Sequence, residues 1–252
     1  MNSSIEFSVL IERALLLYRA YFQKFLVFGV TGAIVANLLS FLPVGAGTGI
    51  DNMELIKAFI SLILAFVQFK ITVSIVLLIR DSLNGDQVLP NKSFSESSSY
   101  YWDYVLTSFF LGLRMLVIFI PLGIIAAIFQ TMVAYVVVCT IGIVAIFYVL
   151  IHYMFAPMMR VLNPEVSTPF SSTFNMVRNY RWEMFLFVVV IIVISGLIPM
   201  INYFIKLPFP LNAILDTLLS TIIFPFSNIV MVLFYYNLVD IQPENQTQTE
   251  LS

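Results

Sequence analysis

The sequence predicts an all-α, polytopic membrane protein. It has six transmembrane helices, three interfacial amphipathic helices and a threefold helix-plus-hairpin repeat. Three observations carry that expectation. Of 252 residues, 60% are hydrophobic and 10% charged, against about 45–50% and about 25% in a soluble domain. The apolar residues gather into runs near the length of about 20 residues that crosses a bilayer core. Those runs do not alternate polar with apolar as barrel strands would, and lipid cannot satisfy an open sheet edge. The composition excludes a soluble enzyme, a disordered chain and a disulfide-stapled secreted scaffold. A net charge of −2 offers no clustered basic surface for nucleic acid.

The elements follow in order. Residues 7–22 read as an interfacial helix. Phe7, Leu10, Ile11, Ala14, Leu17, Tyr18, Tyr21 and Phe22 share one face, and Ser8, Glu12, Arg19 and Gln23 the other, with Leu15 and Leu16 spoiling the separation. The first span is expected over 25–42, retained rather than cleaved as a signal peptide, because Glu6 and Glu12 stand where a basic leader belongs. Gly45 to Gly49 reads as an outer loop. The second span is expected over 56–78. The apolar run from Val105 to Phe155 would be about 75 Å long as one helix, enough for two crossings. A break near Gln130-Thr131 divides it into spans 105–129 and 132–155. The fifth and sixth spans are expected over 184–203 and 217–238. Together they form a single integral membrane domain over 1–240, followed by a polar, disordered cytoplasmic tail over 241–252.

An even number of crossings places both termini on one side. Arg13, Arg19, Lys24, Arg80, Lys92, Arg160, Arg178 and Arg181 fall on that side, against Lys57 and Lys206 opposite. The excess of basic residues puts the termini in the cytoplasm.

The repeat is read from three similar starts. Phe7-Ser8, Phe94-Ser95 and Phe170-Ser171 each open a short segment that reaches an aromatic cluster: Tyr18, Tyr21 and Phe22; Tyr100, Tyr101, Trp102 and Tyr104; Tyr180 and Trp182. A hairpin follows each. In the second copy Ser93 and Glu96 have capping-box spacing. In the third, Thr168 and Pro169 suit a helix start.

These stretches resemble a bacterial family, the YciC-like inner-membrane proteins, and the related membrane domain beside some glycerophosphoryl diester phosphodiesterases. The resemblance rests on Phe7-Ser8, Arg13 and Leu17-Tyr18; on Tyr153 to Pro157; on Pro169 to Ser172 with Arg178 to Trp182; and on Leu233 to Leu238. It covers most of the chain. It implies a multi-pass protein of the bacterial inner (cytoplasmic) membrane and supplies no catalytic residues for this domain.

No constellation of side chains points to chemistry. His152 is the only histidine and has no second ligand at metal spacing. Cys139 has no base beside it and reads as a small buried hydrophobe. Gly45 to Gly49 lacks the lysine of a phosphate loop. No catalytic, cofactor-binding or metal residue is assigned, and no cofactor is expected. Gly29, Gly32, Ala33 and Ala36 form a small-residue stripe that lets another helix come close.

The candidate site is a pair of cations inside spans, Lys70 and Arg114. Each lies about 15 Å from the cytoplasmic helix end, where a Lys or Arg costs about 2.5–3.5 kcal/mol to insert. Two readings stay open. The cations bind an anion, such as a lipid phosphate. Otherwise they snorkel or bond to carbonyls and to Gln68, Tyr148, His152 or Asn228. Asn37 and Asn228 read as interhelical hydrogen-bond partners. The expected function is non-enzymatic organisation of lipid or partner proteins in the bilayer, the partners being membrane lipids and a membrane or membrane-associated protein. The alternative is a transporter for a small anionic or lipid-like solute, resting on Lys70, Arg114 and spans broken at Pro121, Pro199 and Pro225. A third is membrane anchoring of a separate enzyme.

Overall fold

A computed structural model describes residues 6–38, 52–205 and 211–250, and all regular structure among them is helical. The helices are α1 Phe7–Ala20, α2 Phe22–Asn37, α3 Asn52–Leu83, α4 Pro90–Phe129, α5 Met132–Tyr153, α6 Ala156–Leu162, α7 Pro169–Val177, α8 Arg181–Ile205 and α9 Leu211–Glu250.

Among the described residues, four stretches are long and apolar enough to cross a membrane: Leu55–Leu83, Pro90–Phe129, Tyr135–Leu162 and Leu211–Val239. A fifth arises if α7 and the first part of α8, bent by 107°, form one broken span. α2 is apolar but has 16 residues, about 24 Å against a core of about 30 Å. The outer end of the expected first span and the Gly45–Gly49 loop lie outside the described residues. The fold is therefore all-α and multi-pass in kind, with four or five membrane-length helices among the described residues. Along the apolar stretch of α4 few side chains are buried, and Phe109, Leu116, Val117, Ile120 and Ile128 are more than half exposed. Each large side chain there gains about 1.5–3 kcal/mol from leaving water, so an apolar solvent must cover them.

Several expectations need correction. The second interfacial segment is not a separate helix: α4 runs through it into the span for 40 residues. Residues 91–111 hold no Pro or Gly to stop the helix. The first and third segments do break. Tyr21 leaves helical geometry (φ −118°, ψ 23°) between α1 and α2, and residues 178–180 separate α7 from α8. The capping box is absent. α4 starts at Pro90, so Ser93 lies within it and bonds back to the Leu89 carbonyl at 3.3 Å, while Glu96 pairs with Arg80 at 2.7 Å. The prolines do not break their spans; α4, α8 and α9 continue through Pro121, Pro199 and Pro225. Each proline lacks only the donor for one carbonyl four residues back, which a spanning helix tolerates. The tail from Ile241 is helical to Glu250, continuing α9; its Gln and Glu residues are good helix formers. The break at Gln130 is where it was expected. Gln130 takes a left-handed conformation (φ 39°), which reverses the chain between α4 and α5.

The chain divides into two compact units, where the sequence suggests one domain over 1–240. Among the described residues, one unit holds 102–190 and 237–250, and the other holds those of 6–101 and 191–236. In the second unit, α1 buries Leu10, Ala14 and Tyr18 and leaves Leu15 and Leu16 exposed. The imperfect face thus packs one side inward and offers leucines outward. The small-residue stripe works as expected: Gly29 meets the Thr221 carbonyl and Pro225, and Gly32 meets the Phe224 ring. α3 ends in a closed turn, with Gly85 at φ 74° and the Asp86 N–H donating to the Asp81 carbonyl at 3.0 Å. Buried Asp81 pairs there with Arg80 at 2.9 Å and Lys92 at 3.2 Å. In the first unit, α6 was not anticipated. Pro157 denies Tyr153 its helical donor, and the chain restarts at Ala156. α6 buries Met158, Met159 and Val161 beside α7, whose Thr173 hydroxyl lies 3.9 Å from the Met159 Sδ.

Candidate functional site

Lys70 and Arg114 belong to different units, each with its own partners. Lys70 donates from Nζ to the Ser98 hydroxyl at 3.1 Å and lies 4.5 Å from the Phe94 ring centre. Ser98 and Phe94 are one turn apart at the start of α4. The nearby Tyr101 hydroxyl donates to the Phe66 carbonyl at 3.1 Å. Lys70 therefore ties α3 to the start of α4 through one hydrogen bond and one ring contact.

Arg114 differs. Its guanidinium carbon lies 4.0 Å from the Phe170 ring centre and 4.5 Å from that of Tyr153. The two rings have centres 5.9 Å apart and planes at 69°, so the guanidinium sits in a corner between them. α7 supplies Phe170 and the end of α5 supplies Tyr153. A helical side chain leans toward its helix's N-terminus, which carries Arg114 back toward α7. Cation–π contact of this kind contributes about 0.5–2 kcal/mol, offsetting part of the insertion cost. Among the described residues no group accepts a hydrogen bond from Arg114. Its in-plane N–H donors are left to the cleft beyond. Neither cation uses Gln68, Tyr148, His152 or Asn228, the partners the sequence suggested. Asn228 and Asn37 bond to carbonyls four residues back on their own helices, at 2.8 and 2.9 Å, and so do not bridge helices.

The cleft at Arg114 has about 480 Å³ of space, bounded by Asp103, Thr107, Phe110, Arg160 and the start of α7, Ser167 to Ser171. Arg160 sits 3.5 Å from Asp103 and donates to the Val166 carbonyl at 2.7 Å. Thr168 occupies the N-cap of α7 with Pro169 following, as the sequence suggested, but its side chain makes no capping bond. Its hydroxyl and the first amides of α7 remain available, at the helix end that favours negative charge. A second cavity of about 430 Å³ adjoins, lined by Phe110, Leu113, Arg114, Val117 and Phe170. Sequence reasoning found Arg114 but missed this setting. One signal was present: Asp103, Thr107, Phe110, Arg114 and Val117 recur at helical spacing and share a face of α4.

In the other unit, a cavity of about 190 Å³ is lined by Gly32, Ala36, Gln68, Ser195, Ser220 and Ser227. The Gln68 Oε1 is buried without a partner. Cys139 is exposed on α5, correcting the expectation of a buried residue; little of α5's apolar stretch packs within the fold. His152 is buried against Phe174, its ring 5.1 Å away, with Nδ1 2.8 Å from the Tyr148 carbonyl. Among the described residues no three His, Cys, Asp or Glu side chains gather as a metal site requires. Compared with protein-family models, curated proteins and solved structures, the chain matches none.

Proposed function

We propose that this chain is a non-enzymatic protein of the bacterial inner membrane, YciC-like in type, that organises lipid at the cytoplasmic interface. The proposal includes six crossings, cytoplasmic termini and a threefold repeat of interfacial segment plus hairpin. Membrane lipids are its first partners, with a membrane or membrane-associated protein as the second. The single observation behind it is Arg114: a cation anchored by two rings, facing an open cleft, with no anionic group of the described residues spent on it. Lys70 stands outside this reading because it lies in the other unit and already gives one hydrogen bond to Ser98 and a ring contact to Phe94.

A second reading, passage of a small anionic or lipid-like solute, draws on the cavity where the Gln68 Oε1 is buried without a partner beside Ser195, Ser220 and Ser227. Native mass spectrometry of gently extracted protein tests the first reading. Wild type and Lys70→Leu should retain a stoichiometric lipid, and Arg114→Leu should lose it at unchanged folded yield. An identical lipid set on wild type and Arg114→Leu would overturn the reading. Solute uptake into proteoliposomes that is abolished by Gln68→Leu would favour the second.

A further inference from the structure

We infer that the two cavities meeting at Arg114 form one bipartite site for a single glycerophospholipid of net negative charge. The inference rests on the reading of Arg114 as a lipid contact and specifies which lipid and how it lies. The phosphate sits on Arg114, the headgroup lies in the larger cleft toward Asp103, Thr107 and Ser167, and one acyl chain follows the more apolar cavity.

Continuity is the first argument. The two cavities share Phe110, Arg114 and Phe170. An occupant of one is thus led to the other past the guanidinium. The second argument is the order of side chains along α4. Asp103 and Thr107 lie toward its N-terminus, Arg114 stands in the middle, and Val117 lies beyond. With Leu106 and Phe110 interspersed, these polar, cationic and apolar positions run in the order of headgroup, phosphate and chain in a phospholipid.

The third argument is donor geometry. Phe170 and Tyr153 meet at a corner and leave the guanidinium's far side open. A planar fork of N–H donors suits two phosphate oxygens at once. The Thr168 hydroxyl and the start of α7 add neutral donors beside it. The fourth is charge. Arg114, Arg160 and Asp103 sum to one positive charge, which one phosphodiester of net charge −1 balances. A carboxylate on a single chain would satisfy Arg114 but leave the polar groups of the cleft of about 480 Å³, Thr107, Ser167 and Thr168, without a partner in the ligand. A glycerol headgroup fills it with hydroxyls facing Thr107, Ser167 and Thr168.

The test is a lipid titration of the whole, delipidated protein in neutral detergent, followed by native mass spectrometry. The probe is dioleoyl phosphatidylglycerol. Competitors are dioleoyl phosphatidylethanolamine, oleate and glycerol 3-phosphate. Wild type should bind one phosphatidylglycerol in preference to phosphatidylethanolamine, and neither oleate nor glycerol 3-phosphate should displace it. Arg114→Gln should weaken binding by about tenfold to a hundredfold, as expected for charge-assisted hydrogen bonds. Arg114→Lys should fall between, keeping charge but losing the fork. Val117→Trp fills the chain cavity and should cost about tenfold, since each buried methylene counts. Val117→Ala should bind as wild type and shows that the position itself is tolerant.

If Val117→Trp binds normally and glycerol 3-phosphate competes, Arg114 takes headgroups alone and the bipartite site is wrong, while the lipid reading stands. If oleate displaces phosphatidylglycerol, the ligand is a carboxylate and the inference fails. If phosphatidylethanolamine binds equally, the charge argument fails. If wild type holds no lipid at all, the broader reading falls with it.

Discussion

Replacing Gly29 with Ala tests how closely α9 approaches α2. The Thr221 carbonyl is the one that Pro225, lacking an N–H, leaves without a helical donor. It packs against the Cα of Gly29, where a Cβ would overlap it and lie 3.0 Å from the Pro225 Cγ. The obstacle is backbone, so relief requires moving a helix. Overpacking of this kind costs about 1–3 kcal/mol, with the upper part of the range expected against backbone. Ala returns about 0.8–1.0 kcal/mol of helix propensity. The net loss is about 2 kcal/mol, or about 4–8 °C in Tm for a chain of this size. Gly112→Ala is the control. Nothing lies within 4 Å of its new methyl, so propensity alone acts and Tm should rise by about 2–4 °C. Gly32→Ala should fall between. Its Cβ would meet Phe224 ring atoms at 3.0 and 3.1 Å, and a ring yields more easily than a carbonyl. The assay is thermal unfolding of the purified variants in one detergent. A Gly29→Ala protein as stable as wild type, beside a normal Gly112→Ala, would refute the close approach.

Three further outcomes are expected. Tyr18 carries a buried hydroxyl without a partner, and burial pushes its phenol pKa up. Tyr18→Phe keeps the stack on Phe25, 6.1 Å between ring centres, and should be neutral or more stable by up to about 1–3 kcal/mol in denaturant melts; clear destabilisation would mean the hydroxyl is bonded. Gln130→Gly should raise Tm, because a non-glycine residue at φ 39° gives up about 1–2 kcal/mol; an unchanged or lower Tm would argue against a left-handed turn there. Asp81→Ala removes a carboxylate that is 1% exposed and leaves Lys92 without its partner. Arg80 keeps Glu96 at 2.7 Å, so the loss should stay near the low end, about 3 kcal/mol, of that for breaking a buried pair. A Tm within a degree of wild type would show that the cluster contributes nothing.

The helical class was legible because apolar run length is a local property that lipid enforces. The Gln130 break was legible for a similar reason, since polar Gln130-Thr131 interrupts an otherwise apolar run. Gly29 and Gly32 were legible because small residues four positions or fewer apart have one use in a spanning helix. What failed were inferences from sequence spacing to local termination. Ser93 and Glu96 had capping spacing, yet Pro90 starts the helix three residues earlier. Pro121 and Pro225 looked like breaks, yet a lost hydrogen bond bends a spanning helix more readily than it ends one. Of the candidate pair, Lys70 and Arg114 could not be told apart by depth, because depth prices a charge without saying what meets it.

The sequence by itself determined that this chain must leave water. So few charges cannot cover a soluble surface, and the length of its apolar runs makes the crossings helical. It also determined that two cations must be carried into those helices. Only the tertiary structure decided their fates. Ser98 and Phe94 reach Lys70 because α3 and the start of α4 lie side by side, giving it a hydrogen bond and a ring. Tyr153 and Phe170 reach Arg114 from two other helices but offer only their rings. A ring attracts the cation's charge and accepts none of its in-plane hydrogen bonds, and that leaves Arg114, unlike Lys70, with donors facing an open cleft.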